Sequence, residues 1–298
     1  MGIEIVHTDA PLGHEIRGVD LAGDIDEATF AEIEDAYDRY GVVVFRGQKL
    51  SPEQQIAFSR RFGPLDRYVL EQYNHKQWPE VFVISNIVEN GEPIGMADAG
   101  RYWHTDMWLT HNPPRGSILH ALEVPVKDGE PLGDTYFTST AAAYDALSEE
   151  MKARLDGLTA IFSTDKYLEF RQRTNKDIDK PTGQASQSAL KNLNSGDIEH
   201  SLVRVHPRSG RKCLYLCEGV VARVVGLPEQ ESNELISFLE AHVVKPEFVY
   251  RHRWQVGDVV MWDNRSCLHK ATGDFELPLR RHMHRTTLRN VTEAGVAA

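Results

Sequence analysis

Short runs rich in β-branched and aromatic residues, cut apart by turn residues, recur along most of this chain and set what it can become. They are "VVVFR" (42–46), "VFVISN" (81–86), "SILHALEV" (117–124), "LVRVH" (202–206), "CLYLC" (213–217), "FVYRHRW" (248–254), "DVVMWD" (258–263) and "HMHRTTL" (282–288). Such residues pack well on a pleated, half-buried surface, so each run reads as a strand. Helical spacing is confined to a few stretches. In "ATFAEIEDAYDRYG" (28–41), Phe30, Ile33, Ala36 and Tyr37 line one face and Gly41 ends it. "SPEQQIAFSRRFG" (51–63) offers Ser51 as N-cap, Pro52 in the first turn and Gly63 as a stop. "STAAAYDALSEEMKARLDGL" (139–158) and "PEQESNELISFLEAHV" (228–243) also read as helices. Helices and strands do not alternate. That excludes a doubly wound parallel sheet and predicts a mostly β core with flanking helices.

The chain has 298 residues, 41% hydrophobic and 26% charged, which suits a soluble globular protein read as one domain over 1–298. Residues 165–200 are polar and weakly periodic. A long irregular insert in a compact domain reads as a mobile lid, with simple surface decoration as the alternative. The formal net charge of −11 argues against nucleic-acid and anionic-membrane partners. Three cysteines, Cys213, Cys217 and Cys267, make no disulfide framework and fit a reducing compartment. Cys213 and Cys217 are expected in the core. "MGIEIVHTDAPLG" has no signal-peptide pattern, and no apolar run approaches the roughly 18 residues of a membrane span, so the expected location is cytoplasmic.

The chemistry centres on "YWHTDMWL" (102–109), where His104 and Asp106 stand two apart between tryptophans. In an extended strand, residues i and i+2 point to one side, so imidazole and carboxylate would converge. A solvated strand edge, or a buried histidine satisfied by its carboxylate, explains the pair as well as a metal does. A second histidine, His269, follows the apolar strand in "DVVMWDNRSCLHKA". Together, His104, Asp106 and His269 have the composition of a two-histidine, one-carboxylate iron triad, although zinc takes the same ligand types. Downstream, "LRRHMHRTTLR" carries Arg280, Arg281, Arg285 and Arg289. If 281–288 is a strand, Arg281 and Arg285 share a face and Arg280 does not. Two guanidinium groups on one face suit two anionic groups.

In order and approximate spacing, "WHTD", "GDTYF", "WDNRSCLH" and "RRHMHR" resemble the taurine dioxygenase and 2,4-dichlorophenoxyacetate dioxygenase family of Fe(II)- and 2-oxoglutarate-dependent oxygenases. The likeness extends from "RGVDLAGDID" to "RTTL". It implies a double-stranded β-helix, a jelly-roll-like core buttressed by helices. It also implies iron ligation by His104, Asp106 and His269, and a grip on the far carboxylate of 2-oxoglutarate by Thr135 and Arg281. Arg285 would face the acidic end of the substrate or the cosubstrate's other carboxylate. By family position, Tyr68, Asn86, Arg101, Tyr102, Met107 and Trp108 would line the substrate pocket.

The implied reaction consumes O2, converts 2-oxoglutarate to succinate and CO2, and hydroxylates a C–H bond of a small anionic substrate. Where the hydroxylated carbon bears a heteroatom, a C–O, C–S or C–N bond then breaks. "AGRY" replaces the Asn/Asp-rich stretch of taurine dioxygenase, and Tyr68 stands where a histidine is expected, so taurine fits poorly. Tyr, Met and Trp suit a bulkier, more aromatic or apolar anion. "FVYRHRWQVGDVVMWDNR" resembles the phenoxyacetate enzymes more, which implies a carboxylate. A sulfonate or alkyl sulfate is the alternative within the family. A metal-dependent hydrolase and a metal-free binding protein on a β-sandwich are the alternatives outside it. A homo-oligomer, dimer or tetramer, is the family expectation.

Overall fold

The structure is a computed structural model that describes residues 2–97, 100–174 and 197–291. Its principal elements are β1 (Glu4–Val6), β2 (His14–Arg17), α1 (Glu27–Tyr40), β3 (Val42–Phe45), α2 (Pro52–Arg60), β4 (Leu65–Asp66), β5 (Phe82–Ser85), β6 (Gly116–Glu123), β7 (Thr135–Ser139), α3 (Thr140–Asp145), α4 (Glu149–Leu155), β8 (Thr159–Phe162), α5 (Thr164–Thr174), β9 (Ile198–Ser201), β10 (Val203–Val205), β11 (Lys212–Leu214), β12 (Val221–Val224), α6 (Glu229–Val243), β13 (Val249–His252), β14 (Val259–Asp263), β15 (Cys267–Ala271) and β16 (His282–Leu288). The chain is therefore mostly β with flanking helices, as the runs predict.

The helix signals work through satisfied backbone groups. Asp26 caps α1 by accepting from Thr29 N, and Gly41, at φ 71°, closes it with its N–H on Tyr37 O. Ser51 and Gln54 form a reciprocal capping box on α2. The stretch 139–158 departs from expectation. It forms two helices, because Ser148 caps a new start by accepting from Met151 N. "CLYLC" is also only partly a strand, since β11 ends at Leu214. All three cysteines are nonetheless buried and unpaired. Burial pushes the Cys213 and Cys217 thiols up to about 12. Of the expected lid, residues 175–196 lie outside the described residues, and its beginning is helix α5. Among the described residues no helix is long and apolar enough to cross a membrane.

One large sheet runs β1-β2-β3-β14-β6-β16-β4, with β5 also on β16. A smaller sheet runs β13-β7-β15. Alternation along the strands sends residues to two faces. Val42, Val44, Leu119, Ala121, Val260, Trp262 and Met283 pack with Phe137 and Cys267 of the smaller sheet. Val43, Phe45, Ile118, Val259 and Met261 pack with Phe30, Ile33 and Tyr37 of α1 and Phe58 of α2. A third cluster joins α3, α6, β8 and β12. The first cluster matters most here, because His269 and Arg285 belong to the two strands that bound it.

A buried ion network ties α1 to the β14–β15 turn. Arg265 pairs with Asp263 and Asp38, Arg115 with Asp38 and Glu34, and His206 Nε2 lies 2.9 Å from Asp263. Burial alone would raise the Asp263 carboxyl. The Arg265 charge and the hydrogen bonds from Arg265 and His206 outweigh it and hold the group well below the carboxylate range. A carboxyl depressed in the fold stabilises above its unfolded value, near pH ~3.9, and loses that contribution as pH falls through the folded value. Asp263→Asn should therefore cost about 3–5 kcal/mol at pH 7. Denaturant midpoints should show the gap to the parent narrowing below pH ~4. A gap that stays constant with pH would contradict this account of the network.

Candidate metal centre and anion anchors

His269 lies on β15, opposite Phe137 of β7. His104 is joined to it by both backbone hydrogen bonds, His104 N–H to His269 O at 3.1 Å and the reverse at 2.8 Å. A single bridge thus sets two imidazoles side by side, with ring centroids 4.1 Å apart. The expected strand over 102–109 is not there. The chain leaves the bridge into a turn, with Met107 at φ 52°. Asp106 reaches the same spot through that turn and not through strand alternation. One ligand atom each from His104, Asp106 and His269 lie within 4.8 Å of one another, and all three residues are buried.

The donor set fits a metal. His104 Nδ1 lies 2.8 Å from Tyr102 O, which requires Nδ1–H and leaves Nε2 a bare lone pair. Gly100, at φ 71°, lets the backbone approach that ring. A Cβ there would come 2.6 Å from His104 Cε1. His269 Nε2 is 3.9 Å from Asp106 Oδ1. Burial lowers the His104 pKa and, as the largest cause, lowers that of His269 well below its ordinary value. Both shifts favour the neutral ring, the ligating form. For Asp106, burial acts upward. The Arg285 charge, the largest opposing cause, outweighs it and holds the carboxyl below its ordinary value.

Both predicted arginines are buried and Arg280 is exposed, paired with Glu123. Arg281 lies beside Gly133, where an added Cβ would sit 3.3 Å from its Nε. Thr135, two residues on, accepts from Trp254 Nε1 at 3.0 Å. Among the described residues no carboxylate pairs with Arg281, and its Nε is buried without a partner. Burial lowers its pKa from 12.5 to about 10, against the opposing charge of Asp274. Arg285 differs, since its Nη1 donates to Asp106 Oδ1 at 2.9 Å while Nε has no partner.

The six pocket candidates separate. Tyr68 stacks on Phe82 at 4.0 Å, and Arg285 Cζ lies 5.6 Å from the Tyr68 centroid. Tyr102 stacks on His104 at 4.5 Å and is buried, as is Trp108, whose Nε1 donates to Tyr102 Oη. Asn86 is a backbone clamp: it accepts from Arg281 N and donates to Leu279 O. Arg101 approaches Gly273, and Met107 occupies the turn. Sequence reasoning missed Ser117 and Asn264, which hold Asp106 and Thr105. It also missed Tyr167 and Phe170 of α5, which pack on Tyr102 at 5.2 and 6.1 Å. Single serines, asparagines and tyrosines carry no spacing signal.

The family described as Taurine catabolism dioxygenase TauD, TfdA family matches residues 5–287. The chain is 36% identical over 283 residues to the "Alpha-ketoglutarate-dependent 2,4-dichlorophenoxyacetate dioxygenase" of Cupriavidus pinatubonensis, covering 91% of this chain and 92% of the relative. It is 34% identical over 276 residues to "Pentalenolactone F synthase" of Streptomyces arenae, covering 92% and 91%. A crystal structure of a taurine dioxygenase from Burkholderia xenovorans superposes with a TM-score of 0.77 at 32% identity, covering 99% of this chain and 93% of that one.

Removing a buried, unpaired charge should not weaken the fold. Arg281→Met is expected to leave the ligand-free protein as stable as the parent, or more stable by up to roughly 3 kcal/mol, the cost that its lowered pKa represents. Denaturant melts decide this, and a loss of more than about 1 kcal/mol would mean that Arg281 already has a strong partner.

Proposed function

The chain belongs to the TauD/TfdA family and is an Fe(II)- and 2-oxoglutarate-dependent dioxygenase, and on that premise we propose that it hydroxylates a small carboxylate with an aromatic or apolar body. In this reading His104, Asp106 and His269 hold the iron. Arg281 and Thr135 bind the far carboxylate of 2-oxoglutarate, and Arg285 faces the acid of the substrate. When bound, iron with 2-oxoglutarate supplies the oxidising chemistry: O2 is consumed, succinate and CO2 form, and one oxygen atom enters a C–H bond.

One observation carries the reading. A buried His/Asp/His set converges on one spot, and Arg281, buried with its Nε unpartnered, forms no ion pair with an acid among the described residues. A hydrolase has no use for such a cation. A dicarboxylate relieves it by a charge-assisted, two-pronged pair, while the Thr135 hydroxyl adds a neutral hydrogen bond.

The substrate class follows from the surroundings of Arg285. Its Nη1 is committed to Asp106, and its Nε edge remains for an anion. Beside it stand Tyr68 and Phe82, while Tyr102 stacks on His104 with Tyr167 and Phe170 against it. That frame suits an acid carried on a flat apolar body. The two facing sheets, with helices on the outside, support the double-stranded β-helix reading of the core, and the 0.77 TM-score to a taurine dioxygenase supports it further.

The test is turnover and colour. Anaerobic protein with Fe(II) and 2-oxoglutarate should show a weak visible charge-transfer band, absent in His104→Ala. In air, phenoxyacetates should trigger succinate formation more strongly than alkyl sulfates. Preference for the sulfates would overturn the substrate class alone. Arg281→Met should raise the KM for 2-oxoglutarate by about 100-fold or more, and Thr135→Val by roughly 2–10-fold. An unchanged KM in the arginine variant would move the cosubstrate site elsewhere.

A further inference from the structure

Asp106 is gripped at both oxygens. Ser117 Oγ donates to Oδ2 at 2.8 Å, and Arg285 Nη1 donates to Oδ1 at 2.9 Å. Its backbone is fixed as well. Asp106 N–H donates to Asn264 Oδ1 at 3.2 Å, and the hydroxyl of the preceding Thr105 donates to Asn264 O at 2.9 Å. Ser117 sits on β6 between strands β14 and β16, paired with Trp262 and Thr287, and has no exposed surface. A buried hydroxyl has one hydrogen to give. Here it goes to a charged acceptor, in a place water does not compete for.

Resting on the reading that Asp106 is an iron ligand, we propose that Ser117 is a positioning residue that makes Asp106 a one-oxygen ligand. Oδ1 is the oxygen facing His269 Nε2, at 3.9 Å. Oδ2 is the oxygen occupied by the serine. A carboxylate with both oxygens free can grip a metal with either one or both. A second bond would consume one of the positions that the two-histidine, one-carboxylate set leaves open for cosubstrate and O2. By occupying Oδ2, Ser117 fixes the carboxylate plane and keeps the denticity at one. Arg285 holds the other oxygen, the one that lies 3.9 Å from His269 Nε2. Thus a side chain with no acid–base or ligand role of its own governs how many positions remain for chemistry.

Removing the hydroxyl leaves a smaller side chain in the same strand, so Ser117→Ala is expected to fold, with an unchanged circular dichroism spectrum. Co(II) serves as the probe, titrated by calorimetry and by its visible absorption without cosubstrate or O2. The alanine variant should bind Co(II) about 10–100-fold more weakly, the usual effect of removing a residue that orients a ligand, with altered visible bands. Ser117→Thr keeps the hydroxyl and should restore the bands and most of the affinity. Parent-like affinity and bands in Ser117→Ala would overturn the role. Equal defects in the Ala and Thr variants would also overturn it, by assigning the effect to packing. Asp106→Ala separates the two levels: if it binds Co(II) as the parent does, the ligand assignment itself fails. If it loses the ion while Ser117→Ala keeps it, only the positioning role fails.

Discussion

Two backbone hydrogen bonds between His104 and His269 hold the centre together. Those residues lie far apart in sequence, yet each donates its N–H to the other's carbonyl. The side chains of such a pair must emerge close together on one side, so the distance between imidazoles is set by sheet geometry and not by side-chain packing alone. Everything else adjusts to that bridge. Tyr102, just before it, fixes the tautomer of His104 through its carbonyl, and Gly100 gives the ring its space. Asp106, just after it, swings in through a turn onto Ser117 and Arg285 of the facing sheet. Each sheet thus contributes part of the site.

The molecule buries several guanidinium groups and treats them in two ways. Near the β14–β15 turn, Arg265, Arg115 and the more exposed Arg208 are matched by Asp38, Asp263 and Glu34, which closes the charge account locally. Arg281 has no such match among the described residues. A charge taken from water without a counter-ion is unfavourable in the free protein and becomes favourable only with an anion beside it. The first arrangement makes a scaffold; the second makes an affinity. Arg285 stands between them, with one nitrogen on Asp106 and its Nε unpartnered.

Strands were legible where apolar, β-branched-rich residues run together, as in β3 and β14, because burial on both faces leaves little polar interruption. The long 139–158 helix was not legible as two. Its apolar spacing hides that Ser148 is a better cap than interior residue. The candidate ligands were legible because paired His and Asp in apolar company are uncommon, yet the extended geometry invoked to bring them together is a turn. The residues still converge because tertiary bonds, here to β15 and Asn264, decide the path. Period-two alternation separated Arg281 and Arg285, both buried, from the exposed Arg280. Ser117 had no signature at all, since its meaning lies in Asp106, which only the fold brings near.

The buried thiols carry one more implication. Cys217 Sγ accepts from Thr105 N at 3.4 Å, on the residue between two of the centre's ligand candidates. A thiol with its pKa near 12 stays protonated at any physiological pH, and it is the thiolate that alkylating agents, peroxides and soft metals attack. Burial therefore keeps this sulfur protonated and unreactive, with no disulfide and no sacrificial partner required.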